Sequence, residues 1–433
     1  MFDHARELCG HVRGERLWAD IETLASFRDE GAPPYTRRAF GPAYEEARTW
    51  LRAQMNAAGL VTRRDSAGTL IGSREGARAL PALVTGSHID TVDAGGRFDG
   101  ALGVLAALEL ARALAAAGYQ LAHPLEVVDF TAEEPNAYGS SLIGSRAWAG
   151  TLEERLLALT DDTGEPLSAA LARAGGDVAR LGEARRAEGS IAAYVELHIE
   201  QGPVLERANL DVGVVSGIVG IRRMRAVATG QASHAGTTPI DSRHDALGSA
   251  AEIVLAVEQE ARRADGELIA TVGRALVEPN APNVVPGRVE LSFELRSLEE
   301  GLLDEALGRI ELTAMEAGVE RGVEVAFMPL SRIEPVPADA RVIAALEEGA
   351  EAASAQVRQM PSWGGHDASQ VGSIAPIGML FAPSRDGVSH NADEWTSPEQ
   401  CELACRSLLA GLVLLDERLA AVDGANAGTT HFD

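Results

Sequence analysis

The chain has 433 residues, of which 46% are hydrophobic and 4% aromatic, and its formal net charge is −26. This length exceeds what a single compact core organises, so the composition predicts two domains of a soluble α/β protein. The strongly acidic balance argues against nucleic acid and anionic membranes as partners.

Cysteine content and the termini bear on the compartment. Cys9, Cys401 and Cys405 form an odd, sparse set that is typical of a reducing environment. Cys401 and Cys405 lie one helical turn apart in an amphipathic stretch, which favours buried thiols over a metal pair. The first residues carry charges throughout and lack the apolar core of a signal peptide, and no apolar run reaches the length of a membrane span. We therefore expect a cytoplasmic protein.

The spacing of apolar residues predicts an alternation of helices and strands. In chain order the first part contains helices over 16–27 and 44–58, a hairpin at 60–64 and 69–72, a strand over 81–86, a buried helix over 101–114, a strand over 124–130, surface helices over 142–148, 153–159 and 167–174, and a strand over 192–199. This order predicts a mixed, mainly parallel sheet flanked by helices.

The segment 85–100, TGSHIDTVDAGGRFDG, joins a strand to a helix through a wide glycine-rich loop. It places His88, Asp90, Asp93 and Asp99 at the carboxyl end of a strand, where open α/β sheets bind ligands. A histidine two residues before an aspartate on an extended strand can ligate a metal while the aspartate orients its ring. A lone His-x-Asp pair is nevertheless more often a polar loop that caps a sheet.

Polar residues follow three further predicted elements. Glu133 and Glu134 come directly after the strand over 124–130, His198 closes the strand over 192–199, and His390 lies in the loop before the last helix. Taken singly, a Glu-Glu pair favours a solvated turn and a histidine favours a hydrogen-bonded core residue. If parallel strands deliver them to one edge, one carboxylate can bind metal while the other takes a proton from water.

From about residue 216 the pattern changes to strand, helix, strand, strand, helix, strand, with elements over 219–228, 242–262, 268–277, 289–296, 298–317 and 323–327. This order predicts an inserted α+β sandwich over 216–331. The catalytic domain would then comprise 1–215 and 332–433. Arg296 lies in an apolar strand of the insert, where an unpaired guanidinium would be costly, so an anionic partner is expected. After the insert, the chain returns to the alternation of helices and strands seen before it. The elements are a helix over 338–352, a glycine-rich polar segment over 360–368, a buried strand over 375–381 and a last helix over 399–419.

Three imidazoles and two carboxylates therefore gather at strand ends or adjoining loops of one predicted domain; they are His88, Asp99, Glu134, His198 and His390. This set suffices for two borderline divalent ions that share one carboxylate at a separation of about 3.5 Å.

Ordered motifs from about Trp50 to the last helix carry a family resemblance. They are GSHIDTVDAGGRFDGALGVLAALE, FTAEE, GSRAWAG, ELHIEQGPVLE, GQASHAGTTPIDSRHDAL, PNVVPG, ELRS, GGHDA and SHNADEW. The chain resembles the dinuclear amidase branch of the zinc-dependent aminoacylase and carboxypeptidase superfamily. That branch includes N-carbamoyl-L-amino-acid hydrolases, β-ureidopropionases of the bacterial and yeast type, and allantoate amidohydrolases.

The resemblance implies a role for each matching residue. His88 and His198 would complete one metal site, Glu134 and His390 the other, and Asp99 would bridge them. Asp90 would orient His88, and Glu133 would be the general base and acid. In the insert, His234 would hold the developing oxyanion, and Asn283 and Arg296 would bind the substrate carboxylate. Further pocket-lining groups would be Gln201, Gly364 and Gly365.

The resemblance also implies assembly and cofactors. The family dimerises through the inserted domain and closes it over the site, and in several members the residues matching His234 and Asn283 reach the neighbouring subunit. Two ions are expected per subunit, and zinc, manganese, cobalt and nickel all suit such ligands. The expected substrate is an N-carbamoyl-L-amino acid or a related ureido acid.

Alternatives remain open at this point. Many members follow the paired glutamates with Gly, a small residue, Arg and Phe, whereas this chain has Pro135-Asn136-Ala137-Tyr138 in a loop that would border the pocket. Allantoate amidohydrolase shares every metal residue. An N-acyl-amino-acid amidohydrolase or dipeptidase is disfavoured by His198, where the peptidase branch more often has an acidic ligand. A non-catalytic binding protein on the same scaffold predicts a missing ligand or base, and none is missing.

Overall fold

The computed structural model describes residues 2–429, with side chains described as far as residue 422. The chain divides into two compact units, Met1–Ser216 with Pro337–Asp433, and Gly217–Val336.

Before the smaller unit, the larger unit contains α1 (Phe2–Cys9), α2 (Gly14–Ser26), α3 (Pro42–Ala57), β1 (Val61–Arg64), β2 (Leu70–Arg74), β3 (Ala82–His88), α4 (Ala101–Ala116), β4 (Leu125–Phe130), α5 (Ile143–Ala149), α6 (Leu167–Arg173), β5 (Ile191–Ile199), α7 (Val204–Ala208) and β6 (Val212–Ile218). The smaller unit contains β7 (Gly220–Thr229), β8 (Ser233–His234), α8 (Ala246–Arg263), β9 (Ile269–Glu278), β10 (Val284–Val285), β11 (Arg288–Ser297), α9 (Glu300–Arg321) and β12 (Glu324–Ile333). The returning chain forms β13 (Val336–Pro337), α10 (Ala340–Ala352), β14 (Val357–Ser362), α11 (Asp367–Val371), β15 (Ile377–Ala382) and α12 (Pro398–Thr429).

The larger unit is built on a sheet with the strand order β1-β2-β4-β3-β5-β15-β6-β13, and β14 pairs with β6. The four central strands β4, β3, β5 and β15 are parallel, whereas β2 and β6 join them antiparallel. Every residue of β3, β4 and β15 is buried, as expected for strands covered by helices on both faces. The predicted fold class, a mainly parallel sheet flanked by helices, is confirmed.

Helix α4 is buried along nearly its whole length, as its apolar sequence predicts. It packs with α2, α12, β3 and β5 in the main core, which therefore lies directly behind the carboxyl end of β3. Its single acidic residue, Glu109, is fully buried and accepts hydrogen bonds from Arg16 Nε at 2.7 Å and from the Arg13 N–H at 2.8 Å.

Two of the predicted helices differ from the observed structure. The segment over 142–148 was expected as a surface helix, but α5 is buried because Trp148 packs edge to face on Phe130 with ring centroids 4.9 Å apart. A Cβ at Gly144 would lie 2.6 Å from the Thr131 nitrogen, so this helix needs glycine at its closest approach to the strand end. The expected helix over 153–159 is a short 3₁₀ turn, Glu154–Ala158.

The smaller unit has a four-stranded antiparallel sheet with the order β12-β7-β11-β9, and α8 and α9 pack on it. Its core alternates with the strand period, since Val289, Leu291, Phe293 and Leu295 of β11 all point into it. The predicted insert over 216–331 falls short of the observed end at Val336 because β12 continues to Ile333.

None of the described helices combines the length and apolar character that a bilayer crossing requires.

Candidate metal centre

Three parallel strands deliver the candidate ligands to one edge of the sheet. His88 is the last residue of β3 and pairs in register with Phe130, the last residue of β4. Glu133 and Glu134 follow β4 directly, and His198 lies next to the end of β5 in register with Phe381 of β15. Because the carboxyl ends of parallel strands meet at one edge, these residues lie together as the sequence predicts.

Asp99 lies at the centre of the cluster and is 3% exposed. Its Oδ1 faces Nε2 of His88 at 3.5 Å and Nε2 of His198 at 3.2 Å. Its Oδ2 faces Nε2 of His390 at 3.4 Å, and that nitrogen lies 3.3 Å from Oε1 of Glu134. The two oxygens of one carboxylate therefore serve two different ligand sets.

The described residues contain three groups whose ligand atoms lie within 4.8 Å of one another: His88, Asp99 and His198; Asp99, Glu134 and His390; and Glu196, His198 and His366. The first two share Asp99. The structure thus brings all five predicted ligands into one cluster.

The imidazole tautomers suit metal ligation. His88 Nδ1 lies 3.0 Å from the backbone oxygen of Asp90, and His198 Nδ1 lies 2.9 Å from that of Ile199. A carbonyl oxygen only accepts, so each ring carries a proton on Nδ1 and turns Nε2 toward the cluster, where Nε2 of His198 accepts the Gly100 N–H at 3.1 Å.

Gly100, which has φ +59, leaves space in front of His88 Nε2. A Cβ at this position would lie 2.4 Å from His88 Nε2. On the other side of the cluster, Glu134 Oε1 is buried and accepts no hydrogen bond of ordinary geometry. An accessible Nε2 on His88, an approach free of side chains at Gly100, and a buried Glu134 oxygen whose close neighbour is the His390 ring all fit a bound cation.

Carboxylates dominate the electrostatics of the cluster. Burial favours the neutral His88 ring, but Glu133, Asp90 and Asp99 together raise its pKa well above the ordinary value. Hydrogen bonding to Asp99 and Glu134 raises the pKa of His390 to about 10. Burial raises the pKa of Glu133 well above normal. The site therefore calls for added positive charge, which protons or metal cations can supply.

Asp90 contacts His88 through both its backbone and its side chain. Its backbone oxygen lies 3.0 Å and its carboxylate 3.6 Å from His88 Nδ1, and the carboxylate also accepts the N–H groups of Glu133 at 3.2 Å and Glu134 at 3.1 Å. The carboxylate thus holds the glutamate pair in place, with Glu133 Oε2 3.6 Å from His88 Nε2. Asp93 lies apart from this cluster, where it pairs with Arg38.

The other predicted residues of the larger unit lie close to the cluster. The Gln201 side chain donates to Asp99 Oδ2 at 2.6 Å. A Cβ at Gly364 would lie 2.9 Å from Gln201 Oε1, whereas one at Gly365 would meet nothing within 4 Å. The loop over 135–138 and Asp90 line a cavity of about 940 Å³, together with Arg38 and Phe40.

In the smaller unit, His234 and Asn283 are neighbours. Strand β8 pairs with β10, and the Ala235 N–H donates to the backbone oxygen of Asn283 at 3.0 Å. His234 is exposed, and its Nδ1 accepts the N–H groups of Gly236 and Thr237. Nη2 of Arg296 lies 2.7 Å from Oε1 of Glu294.

Sequence reasoning missed a buried layer behind the ligands. The His366 ring packs against that of His198 with centroids 4.5 Å apart, and its Nε2 lies 2.9 Å from Ser362 Oγ. Glu196 accepts Ser87 Oγ at 2.6 Å and the Ala368 N–H at 3.0 Å. Glu196 and His366 already have hydrogen-bond partners. We therefore interpret the group Glu196, His198 and His366 as structural support for the His198 ring and not as a metal site. The motifs GGHDA, which contains His366, and ELHIEQGPVLE, which contains Glu196, were the available signals for this layer.

Comparison with known proteins places the chain in a family. Residues 84–413 match the sequence pattern of Peptidase family M20/M25/M40. The chain therefore belongs to this family.

Individual relatives narrow the placement. The chain is 40% identical over 398 residues to N-carbamoyl-L-amino acid amidohydrolase of Geobacillus stearothermophilus, covering 92% of this chain and 97% of that protein. It is 35% identical over 392 residues to allantoate amidohydrolase of Bacillus subtilis, covering 90% and 94%. The solved structure of a hydantoinase/carbamoylase family amidase from Burkholderia ambifaria superposes with a TM-score of 0.85 at 32% identity, covering 93% and 98%. The resemblance to the amidase branch is confirmed.

Proposed function

We propose that the protein is a metal-dependent amidohydrolase that cleaves the ureido C–N bond of an N-carbamoyl-L-amino acid or related ureido acid. The products are the amino acid, carbon dioxide and ammonia. The observation that carries the proposal is the buried Asp99 carboxylate, whose two oxygens face separate sets of imidazoles. The Geobacillus relative supports the choice of substrate class.

The ligand set fits two divalent ions, zinc or else manganese, cobalt or nickel. His88 and His198 would hold one, Glu134 and His390 would hold the other, and Asp99 would contribute to both. When bound, such a pair polarises the substrate carbonyl and lowers the pKa of water. The remaining steps are carried out by side chains of the protein.

Glu133 is the proton carrier. Its backbone is fixed by Asp90, and its carboxylate lies beside His88 without being required as a ligand. It takes a proton from the attacking water, whose oxygen bonds to the ureido carbon, and returns that proton to the departing nitrogen. His234 donates to the oxygen on which negative charge develops, and Arg296 and Asn283 bind the substrate carboxylate.

Allantoate amidohydrolase is the second candidate, favoured by the similarity to the Bacillus protein. The loop over 135–138, which departs from the family pattern and lines the cavity beside Asp90, is where the choice of substrate is made. Ordinary amides and dipeptides are disfavoured by the imidazole at His198.

Ammonia release from metal-reconstituted protein tests the proposal. A panel of N-carbamoyl-L-amino acids, their D-enantiomers, allantoate and N-acetyl amino acids is assayed side by side. Turnover of the carbamoyl-L-amino acids above the others supports the proposal. Faster turnover of allantoate selects the second candidate. Hydrolysis of the N-acetyl substrates alone, detected as free amino acid because that reaction yields acetate and no ammonia, contradicts both.

We also propose that the protein is a cytoplasmic homodimer joined through its smaller unit. Edge strand β9 exposes Leu276, and the adjoining helix α8 exposes Val254 and Leu255, so this side of the unit offers apolar surface to a second copy. Light scattering should give twice the chain mass, and Leu255→Glu should lower it. A wild-type monomer would contradict the proposal.

A further inference from the structure

Glu394 makes a concentrated set of hydrogen bonds beside the metal cluster. It lies in the loop before α12 and is 1% exposed. One of its oxygens, Oε1, accepts three consecutive backbone N–H groups, from Arg97 at 3.0 Å, Phe98 at 2.7 Å and Asp99 at 3.2 Å. A carboxylate oxygen surrounded by successive N–H groups fixes the backbone that carries them.

The second oxygen of Glu394 reaches the Asp99 side chain through Ser389. The Ser389 hydroxyl lies 2.9 Å from Glu394 Oε2 and 2.9 Å from Asp99 Oδ2, and its single proton can be donated to either oxygen. Glu394 therefore holds the Asp99 backbone N–H directly and shares the Ser389 hydroxyl with the Asp99 carboxylate. Ser389 also precedes His390, so the same contact ties down the third imidazole.

The residues around the Glu394 carboxylate leave room for it and exclude water from its hydrogen bonds. Gly96 has φ +98, and a Cβ there would lie 2.3 Å from Glu394 Oε1. Arg97 lies over the ring of the adjoining Trp395 at 4.7 Å, which closes the loop against α12. Phe98 is fully buried, so its N–H has no access to water as a replacement partner.

We propose that Glu394 is a positioning residue for the metal centre, which sets the Asp99 carboxylate between the imidazoles through residues 97–99 and Ser389. This inference rests on the proposed function, since it concerns the residue assigned to bridge the two ions. An apolar residue at 394 leaves three N–H groups unpaired and removes the acceptor that holds Ser389 beside Asp99, so Asp99 keeps only the Gln201 contact on Oδ2 from its fixed neighbours. Because Asp99 is shared, the affinity for both ions should fall.

Two substitutions at 394 separate shape from hydrogen bonding. Glu394→Gln keeps an oxygen that accepts the same N–H groups and presents its amide N–H to Ser389, so it should retain metal. Glu394→Leu fills a similar volume without an acceptor and should weaken binding of Co²⁺ by about 10- to 100-fold, the usual effect of removing an outer-shell partner. Affinities are measured by competition with a chelator and by the absorption spectrum of the Co²⁺-loaded protein.

Asp416 provides a matched control. It is 1% exposed and caps two backbone N–H groups in the same unit, those of Ala122 at 2.8 Å and His123 at 2.9 Å. Asp416→Leu should lower the unfolding midpoint as Glu394→Leu does, yet leave the Co²⁺ affinity and spectrum unchanged. Equal losses of affinity in both variants would overturn the inference, because metal binding would then follow stability alone.

Ser389→Ala provides an answer even if Glu394→Leu fails to fold. It removes only the hydroxyl that links Asp99 Oδ2 to Glu394, so the ion held by Glu134 and His390 should be lost before the other. Wild-type binding by Glu394→Leu, or unchanged affinity in Ser389→Ala, would refute the positioning role. Failure of the wild-type chain to bind Co²⁺ at all would instead refute the proposed function.

Discussion

Gly100→Ala tests whether His88 and Asp99 form a metal site. Gly100 precedes α4 with φ +59 and ψ −42, a conformation that costs a residue with a side chain about 1–3 kcal/mol. An added Cβ would also lie 2.4 Å from His88 Nε2, whereas ordinary contacts begin at 3.4 Å. The ring must therefore withdraw by about 1 Å, although metal–ligand distances tolerate only about 0.2 Å.

The matched control lies at the other end of the same helix. Gly118 follows α4 with φ +65, and a Cβ there would meet nothing within 4 Å. Gly118→Ala should cost about 1–2 kcal/mol through the backbone alone and keep its metal. Gly100→Ala should lose the ion held by His88 and His198. Urea titration and elemental analysis of both variants decide the matter, and wild-type metal content in Gly100→Ala would refute the reasoning.

Three further predictions concern catalysis, stability and the thiols. Glu133→Gln should lower turnover by on the order of a hundredfold or more with its metal retained, since only the proton carrier is removed; initial rates with metal analysis measure this, and near-normal rates would contradict the role. Asp129→Ala should lower the unfolding free energy by about 3–5 kcal/mol, since the buried Arg48 loses its carboxylate; urea titration measures the loss, and Glu183→Ala, at an exposed ion pair, should leave the midpoint unchanged. A thiol reagent at pH 8 should label Cys9, Cys401 and Cys405 only after denaturation, because burial raises the pKa of each thiol; rapid labelling of the folded protein would argue against their burial.

Residues that end an apolar run could be located from the sequence. His88, Glu134 and His198 each follow or close a buried strand, and the parallel order of those strands then brings them together. The signal is local because the strand pattern and the polar residue lie within a few positions of each other. The inferred roles of His234 and Arg296 came from family resemblance, which supplies what local patterns lack.

Contacts between distant segments could not be located in this way. The Glu394 carboxylate binds N–H groups 295 to 297 residues earlier, and the Asp90 carboxylate binds those 43 and 44 residues later. The periodicity of apolar residues does not indicate which loop side chain will bind the backbone of a distant segment. The buried position of α5 was missed for a related reason, since Gly144 and Trp148 pack against a strand end that the helical pattern does not specify.

Strands with mixed exposure were also missed. β6 contains an apolar run, Val-Gly-Val-Val, but its short length directly before β7 left 212–218 unassigned. β14 exposes Arg358 and Gln359, so it lacks the apolar alternation of a half-buried strand and was expected as part of a polar segment. Tertiary pairing with β6 decides its structure.

Elemental analysis of the purified chain after metal reconstitution tests the central claim most directly. The shared Asp99 carboxylate predicts about two divalent ions per chain, falling toward none in Asp99→Ala and to about one in His390→Ala. A wild-type chain without bound divalent ions, or an Asp99→Ala variant that keeps both, would contradict the account.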